Sequence, residues 1–308
     1  MKYYKIEGME TPISAIAMGC MRIGELEVQQ LEALIETALK LGINFFDHAD
    51  IYAGGASEIL FGKVLKKRPE FRSQMIIQTK CGIRDGYYDF SKEHILYSVD
   101  KSLKQLQINQ IDILLLHRPD ALMNPEEVAM AFDMLYDAGK VKAFGVSNMT
   151  PGQIALIQRF TKHKLYFNQL QFNLVNATMI DSGIHANMQV DASIDRDGGV
   201  LDYCRLNNIT IQCWSILQAS WTEGSYLNHP DYAVLNENLT AIAEKYGVSQ
   251  AAIATAWILR HPAKMQAIAG TTSVQNLEDL CMSTSVELTR EEWYKLYLSA
   301  SPLGKKLP

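Results

Sequence analysis

Long apolar runs are missing from this 308-residue sequence: nothing in it approaches the roughly 18 unbroken apolar residues of a membrane span. The opening MKYYKIEGMETPIS has no apolar core of signal-peptide length, so no secretory leader is expected. Cysteine is sparse. Cys20, Cys81, Cys204, Cys213 and Cys281 are odd in number, scattered and without a CxxC pair. That argues against a disulfide framework or a zinc site and for a reducing, cytoplasmic compartment. Basic residues are outnumbered, 29 Lys and Arg against 34 Asp and Glu, for a formal charge of −5. No basic run is long enough to neutralise a row of phosphates, which argues against nucleic acid as a partner. The sequence also lacks low-complexity segments and linkers, so 1–308 is expected to be one domain.

What the sequence does have is material for a core, 48% apolar residues, and an alternation. Short aliphatic runs at 15–19, 43–47, 75–80, 111–117, 141–148, 165–171, 209–215 and 265–270 are separated by stretches of helical period. VQQLEALIETALKLG (28–42) sets Leu31, Leu34, Ile35 and Ala38 on one face and stops at Gly42. SKEHILYSVDKSLKQLQ opens on Ser91 as N-cap. NPEEVAMAFDMLYDAGK places Pro125 at the first helical position and closes at Gly139. The runs are too apolar to leave one face wet, which suits a parallel sheet covered by helices. Eight β-then-α units predict an α/β fold, a closed (β/α)8 TIM barrel. A doubly wound sheet would carry GxGxxG after its first strand, and MGCMRIG lacks that spacing. Two extended pieces in KYYKIEGMETPIS predict a short N-terminal β-hairpin capping the barrel floor. Two long polar segments, 172–197 and 216–234, are expected at the mouth. With loop 83–90 they are expected to set specificity, and Tyr87, Tyr88, Trp221 and Tyr226 are candidate pocket walls.

In such a barrel the C-terminal strand ends converge where chemistry is done. Those ends carry Asp47, with Tyr52 on the next loop, then Lys80, His117, Ser147 and Asn148, Gln169, Trp214 and Ser215, and Gly270, Thr271 and Thr272. Singly, each has an inert reading: a histidine closes a strand, a lysine snorkels to water, a loop tyrosine packs. Four titratable groups of mixed sign in one mouth are different, because crowding them costs stability unless they are paired. A phenol has a pKa near 10. A neighbouring ammonium is expected to lower it, and a carboxylate beside the lysine to keep that ammonium charged. Asp47, Lys80 and Tyr52 therefore read as a device for making a tyrosine yield a proton, with His117 orienting a carbonyl. That set suits carbonyl reduction, and since no side chain supplies hydride, a nicotinamide is implied.

The blocks holding these residues resemble the aldo-keto reductase family over nearly the whole chain, and within it the bacterial YdhF-like branch. LGINFFDHADIYAGGASEILFGKVL carries the D-x-A-x-x-Y core, IIQTKCG the lysine and IDILLLHRPD the histidine. AFGVSN with NQLQFN matches the cofactor amide block, and IAGTTSVQNLEDL the C-terminal one. The resemblance implies an NAD(P)H-dependent oxidoreductase with Tyr52 as general acid, Asp47 and Lys80 tuning it and His117 orienting the carbonyl. It implies that Ser147, Asn148 and Gln169 bind the nicotinamide carboxamide and that Trp214 stacks on its face. Gly19, Met21 and Arg22 of the first loop would approach the nicotinamide ribose, and Ser215 and Leu217 the pyrophosphate. Gly270, Thr271 and Thr272 would meet an adenosine 2′-phosphate.

One departure from the family pattern concerns the cofactor. Many NADPH-using members have an arginine where this chain has Asn276. The lost guanidinium removes a charge-assisted contact. NADPH stays the first choice and NADH stays open. The expected reaction is reduction of an aldehyde, ketone or sugar by a monomer or weak oligomer. An NADPH-binding sensor or scaffold with little turnover is the alternative.

Overall fold

The computed structural model describes residues 1–220 and 222–300; Trp221 and residues 301–308 lie outside them. Tyr3–Tyr4 (β1) and Ile13–Ser14 (β2) pair antiparallel, Tyr3 opposite Ser14 and Tyr4 opposite Ile13. There follow Ile16–Gly19 (β3), Phe45–Asp47 (β4), Ile76–Cys81 (β5), Ile111–Leu116 (β6), Val141–Ser147 (β7), Leu165–Gln171 (β8) and Thr210–Trp214 (β9). Gln218–Ser220 (β10) and Gly224–Ser225 (β11) make a small hairpin, and Gln266–Ala269 (β12) comes last. β3 to β9 pair in parallel in chain order, and β12 bonds to both β9 and β3, closing the barrel. Each aliphatic run in the sequence is one barrel strand. The β1–β2 hairpin leads directly into the start of β3, which puts it across the floor, as expected.

The helices are Val28–Lys40 (α1), Ala56–Lys67 (α2), Lys92–Leu106 (α3), Pro125–Asp137 (α4), Pro151–Phe160 (α5), Thr178–Ile184 (α6), Val200–Leu206 (α7), Ala233–Tyr246 (α8), Gln250–Leu259 (α9), Val274–Cys281 (α10) and Arg290–Ser299 (α11). Their ends obey local chemistry. Ser91 Oγ accepts from His94 N–H at the start of α3, and Asn124 Oδ1 from Glu126 N–H at the start of α4. α1 is followed by Gly42 at φ +84°, a left-handed stop that glycine takes without steric cost.

Alternation along each strand decides which residues reach the mouth. Phe45 packs edge-on to Phe167 of β8 across the barrel interior, 5.9 Å between ring centres, whereas Phe46 and His48 pack on Phe61 of α2 outside it. Asp47 therefore faces inward. In β5 Thr79 points out to Glu58 of α2, leaving Gln78 and Lys80 inside. β4 and β5 register Asp47 against Gln78, so Lys80 stands one inward step above the carboxylate. The expectation for 172–197 needs correction. That stretch holds α6 and a short 3-10 turn at Asp191–Ser193, and none of its residues lines the main cavity.

Candidate active site

Lys80 is fully buried, and its ammonium donates to Asp47 Oδ2 at 2.8 Å, to the His48 carbonyl at 2.9 Å and to Tyr52 Oη at 2.9 Å. It does not snorkel. Tyr52 is aimed back at the mouth by a tight turn in which Ala53, Gly54 and Gly55 all have positive φ. His117 closes the fourth side, its ring perpendicular to that of Tyr52 with centres 6.0 Å apart. The four residues read from the sequence as a unit are one.

Electrostatics refine the expectation for Tyr52. Burial raises the phenol above its ordinary pKa and outweighs the opposing pull of Lys80. The ammonium pulls in the expected direction, but in this desolvated site the net shift is upward. Lys80 itself would be pulled down by burial, but Asp47 and Tyr52 outweigh that and hold it above its ordinary value. His117 is pushed well below its ordinary value by burial, then by Lys80 and Arg118, so its ring is neutral at pH 7. The phenol thus carries its proton at rest. The Lys80 ammonium lies against that hydroxyl, where a cation favours the phenolate over the phenol.

Asp47 is held by a chain that sequence reading missed. Gln266 Nε2 donates to the Ser14 carbonyl on the floor at 2.7 Å, and Gln212 Nε2 donates to Gln266 Oε1 at 2.8 Å. Gln212 Oε1 accepts from Gln78 at 2.9 Å and from Gln169 at 3.2 Å, and both of these also donate to Asp47 Oδ1. Amide dipoles aligned through the barrel axis stabilise a buried carboxylate without adding charge. The signal was present in the sequence, as a glutamine at an inward position of each of β5, β8, β9 and β12.

Above the tetrad opens a cavity of about 930 Å³. Tyr52, Asp47 and His117 lie in its wall, as do Gly19, Met21 and Arg22 of the first loop. So do Ser147, Asn148, Gln169, Trp214, Ser215 and Leu217, and at the far end Gly270, Thr271, Thr272 and Asn276 beside the start of α10. Asn148 at φ +58° and Ser215 at φ +55° are non-glycine residues in the left-handed region, both at strand ends in this wall. Such strain gathers at functional sites. Asn148 Nδ2 donates to Ser147 Oγ at 2.7 Å, its Oδ1 accepts from Trp214 Nε1 at 3.1 Å, and Ser147 Oγ donates to the Gln169 carbonyl.

The profile of the Aldo/keto reductase family matches residues 15–297. This chain belongs to that family. Among its relatives, Oxidoreductase YdhF of Escherichia coli K12 is 33% identical over 306 residues, covering 96% of this chain and 95% of the relative. The 6-dehydroglucose reductase of Agrobacterium fabrum C58 is 33% identical over 308 residues, covering 96% of each. In fold, the thermostable aldo-keto reductase Tm1743 superposes with a TM-score of 0.77 at 24% identity, covering 97% of this chain and all of that one. An aldo/keto reductase from Klebsiella pneumoniae, crystallised with NADP and acetate, gives 0.74 at 22% identity, covering 97% and 95%.

As a member of the aldo/keto reductase family the protein is an NAD(P)H-dependent oxidoreductase, and its wall suits that cofactor. Gln169 spends Nε2 on Asp47 and Gln212, leaving Oε1 as acceptor for a carboxamide NH2. Gly270 has open space where a Cβ would stand, so nothing intrudes on the cleft there. Ser273 Oγ caps α10 by accepting from Asn276 N–H, so hydroxyls and a helix N-terminus stand at that end of the cleft, a setting suited to an anion. Three of the four candidate wall aromatics do not serve as expected. Tyr226 is fully buried with its hydroxyl on the Ile216 carbonyl at 2.9 Å, while Tyr87 and Tyr88 are 54% and 45% exposed and off the cavity. The fourth, Trp221, lies outside the described residues. Ile51, Ile83 and Arg118 line the cavity instead.

All five cysteines are buried and free, and burial pushes the Cys20 and Cys81 thiols well up. Among the described residues no helix is long and apolar enough to cross a membrane, and no group of three or more ligating side chains forms a metal site.

Proposed function

We propose that this protein reduces the carbonyl of an aldehyde, ketone or sugar to an alcohol with NADPH, in the cytoplasm, with Tyr52 as proton donor. The observation that carries the reading is the buried Lys80 ammonium bridging Asp47 and Tyr52 at 2.8 and 2.9 Å beneath a cavity of dinucleotide size. When bound, the nicotinamide supplies hydride to the carbonyl carbon. The neutral His117 ring and the Tyr52 hydroxyl together donate hydrogen bonds to the carbonyl oxygen and fix its position. As negative charge builds on that oxygen, Tyr52 passes its proton across and the adjoining ammonium stabilises the phenolate. Asp47, clamped by Gln78 and Gln169, keeps the ammonium from drifting off the phenol.

Ser147, Asn148, Gln169 and Trp214 would hold the nicotinamide end, with Gly19, Met21 and Arg22 by its ribose and Ser215 and Leu217 by the pyrophosphate. Gly270, Thr271, Thr272 and Asn276 would take the adenosine end. The names of the relatives, one a 6-dehydroglucose reductase, support this reaction class. The test is nicotinamide fluorescence titration with NADPH and NADH, followed by NADPH oxidation over a panel of aldehydes, ketones and sugars. Turnover that falls by about 10²-fold or more in Tyr52→Phe is expected. No turnover across the panel, with Tyr52→Phe identical to wild type, would refute the reading and leave the binding-only alternative.

A further inference from the structure

Arg118 follows His117 on the loop after β6 and lines the same cavity. Its guanidinium lies over the Trp214 ring, 5.6 Å from the ring centre, close enough for a cation–π contact. Trp214 is itself fixed by its hydrogen bond to Asn148. Arg118 is half-buried, yet among the described residues it has no hydrogen bond and no ion pair. Other arginines of the chain are matched: Arg72 pairs with Asp112, Arg84 with Asp89, Arg68 with Glu32 and Glu70, and Arg22 donates to the Gly270 carbonyl. Arg159 and Arg290 also lack partners, but they are exposed to water.

The acids that share its cavity wall or its loop are already engaged, Asp279 accepting from Gln275 Nε2. Asp47 is committed to Lys80 and two glutamines. Asp120, two residues on, accepts from Phe90 N–H and Leu122 N–H. The cavity it lines also has Ile51, Ile83, Tyr52 and His117 in its wall. A guanidinium partly stripped of water with no counter-charge is a planar fork of donors awaiting an anion.

We propose that Arg118 is a specificity residue that binds an anionic oxygen group, carboxylate or phosphate, carried by the carbonyl substrate. The preferred substrates are then oxo-acids or phosphorylated aldehydes in preference to their neutral counterparts. This rests on the carbonyl-reductase reading of the same site. It assigns two of the cations at the mouth different tasks: Lys80 acts on the phenol, and Arg118 recognises the part of the substrate that does not react.

The test measures kcat/KM with NADPH for two matched pairs, 4-oxobutanoate against butanal and glyceraldehyde 3-phosphate against glyceraldehyde. Wild type is expected to favour the charged member of at least one pair by about 10- to 100-fold, the usual worth of a hydrogen bond to a charged group. The pair that shows the preference tells carboxylate from phosphate. The preference should shrink as salt is raised, since the arginine is only half-buried. Arg118→Leu should collapse the charged-to-neutral ratio to near one, and Arg118→Lys, which keeps the charge but not the fork, should leave it in between.

Equal kcat/KM within both pairs for wild type overturns the proposal while leaving carbonyl reduction intact. So does a ratio that Arg118→Leu leaves unchanged, including the case where the variant merely binds NADPH less tightly. If wild type reduces no member of either pair or of the wider carbonyl panel, the reductase reading falls and this proposal falls with it.

Discussion

The Lys80 ammonium has three hydrogens, and all three are in use: one on Tyr52 Oη at 2.9 Å, one on Asp47 Oδ2 and one on the His48 carbonyl. Nothing is left over for water, and the lysine is fully buried. Replacing it with methionine keeps the shape but strands the Asp47 charge, a change that costs about 3–5 kcal/mol when one member of a buried pair is lost. Lys80→Met is therefore expected to lower both the urea midpoint and kcat, the latter by 10²-fold or more. A variant as stable and as active as wild type would show that the bridge is ornamental.

The pH profile follows from the same arrangement. Reduction needs the Tyr52 phenol protonated, and burial keeps its pKa above the ordinary value near 10. His117 is neutral well below its ordinary range, so it does not change charge near neutrality. The rate of reduction should be level from about pH 6.5 to 9 and decline only beyond. Oxidation of an alcohol needs the phenolate instead and should climb with pH over that interval. Steady-state rates in both directions check this, and parallel slopes would contradict it.

Gln212 sits in the middle of the amide chain, taking hydrogen bonds from Gln78 and Gln169 and passing one to Gln266. It makes no hydrogen bond to any of the four tetrad residues. Gln212→Leu leaves three buried amides short of a partner, at about 1–3 kcal/mol for each one left unmatched. Its effect on catalysis is through the position of Asp47, so kcat should fall several-fold with KM nearly constant. Gln212→Glu offers acceptors to Gln78 and Gln169 but cannot donate to Gln266, and should recover part of kcat. If Gln212→Leu loses stability alone, with kcat intact, the chain is structural only.

The parts of this fold that were legible in the sequence are those set by period and by punctuation. Eight aliphatic runs gave the strands, and Ser91, Pro125, Gly42 and Gly139 gave helix ends, because caps and breakers act locally. α9 carried no such signal: from Ala252 to Leu259 it is buried all round, so no apolar stripe alternates with a polar one. The tetrad was readable since strand ends converge in any barrel, whereas the sign of the Tyr52 shift was not, because it depends on how completely water is excluded. Arg118 sat next to the quoted histidine, yet its lack of a partner is a three-dimensional fact. The same holds for Tyr226, which reads as a loop aromatic until the β10–β11 hairpin folds over it.

Asn276 stands exposed at the start of α10, in the wall of the cavity's far end. A guanidinium there would add one charge-assisted contact to a 2′-phosphate. Asn276→Arg is expected to tighten NADPH about tenfold while changing NADH little, the modest size reflecting solvent at that position. Fluorescence titration with both cofactors checks it. Equal tightening of both would mean that the arginine meets adenine or pyrophosphate instead.

Behind the tetrad, His48 and Glu58 make opposite demands on pH. His48 is packed against Phe61 with neither ring nitrogen hydrogen-bonded, and burial lowers its pKa to about 3. An unfolded histidine titrates near 6.5, so the unfolded chain binds the extra proton and stability is lost as pH falls from 6.5 toward 3. Glu58 is raised to about 7 by burial, against the hydrogen bonds from Thr79 and Ser102, with Asp50 adding to the rise. Here the folded state holds the proton, so stability is lost as pH rises from about 4.5 through 7. His48→Leu should therefore gain about 2 kcal/mol more over wild type at pH 5 than at pH 8. Glu58→Gln keeps an acceptor for Thr79 and should show the reverse, its advantage greater at pH 8 by a similar amount. Urea midpoints at the two pH values decide the matter: variants that track wild type in parallel would mean that water reaches these groups and that neither is desolvated as the packing indicates.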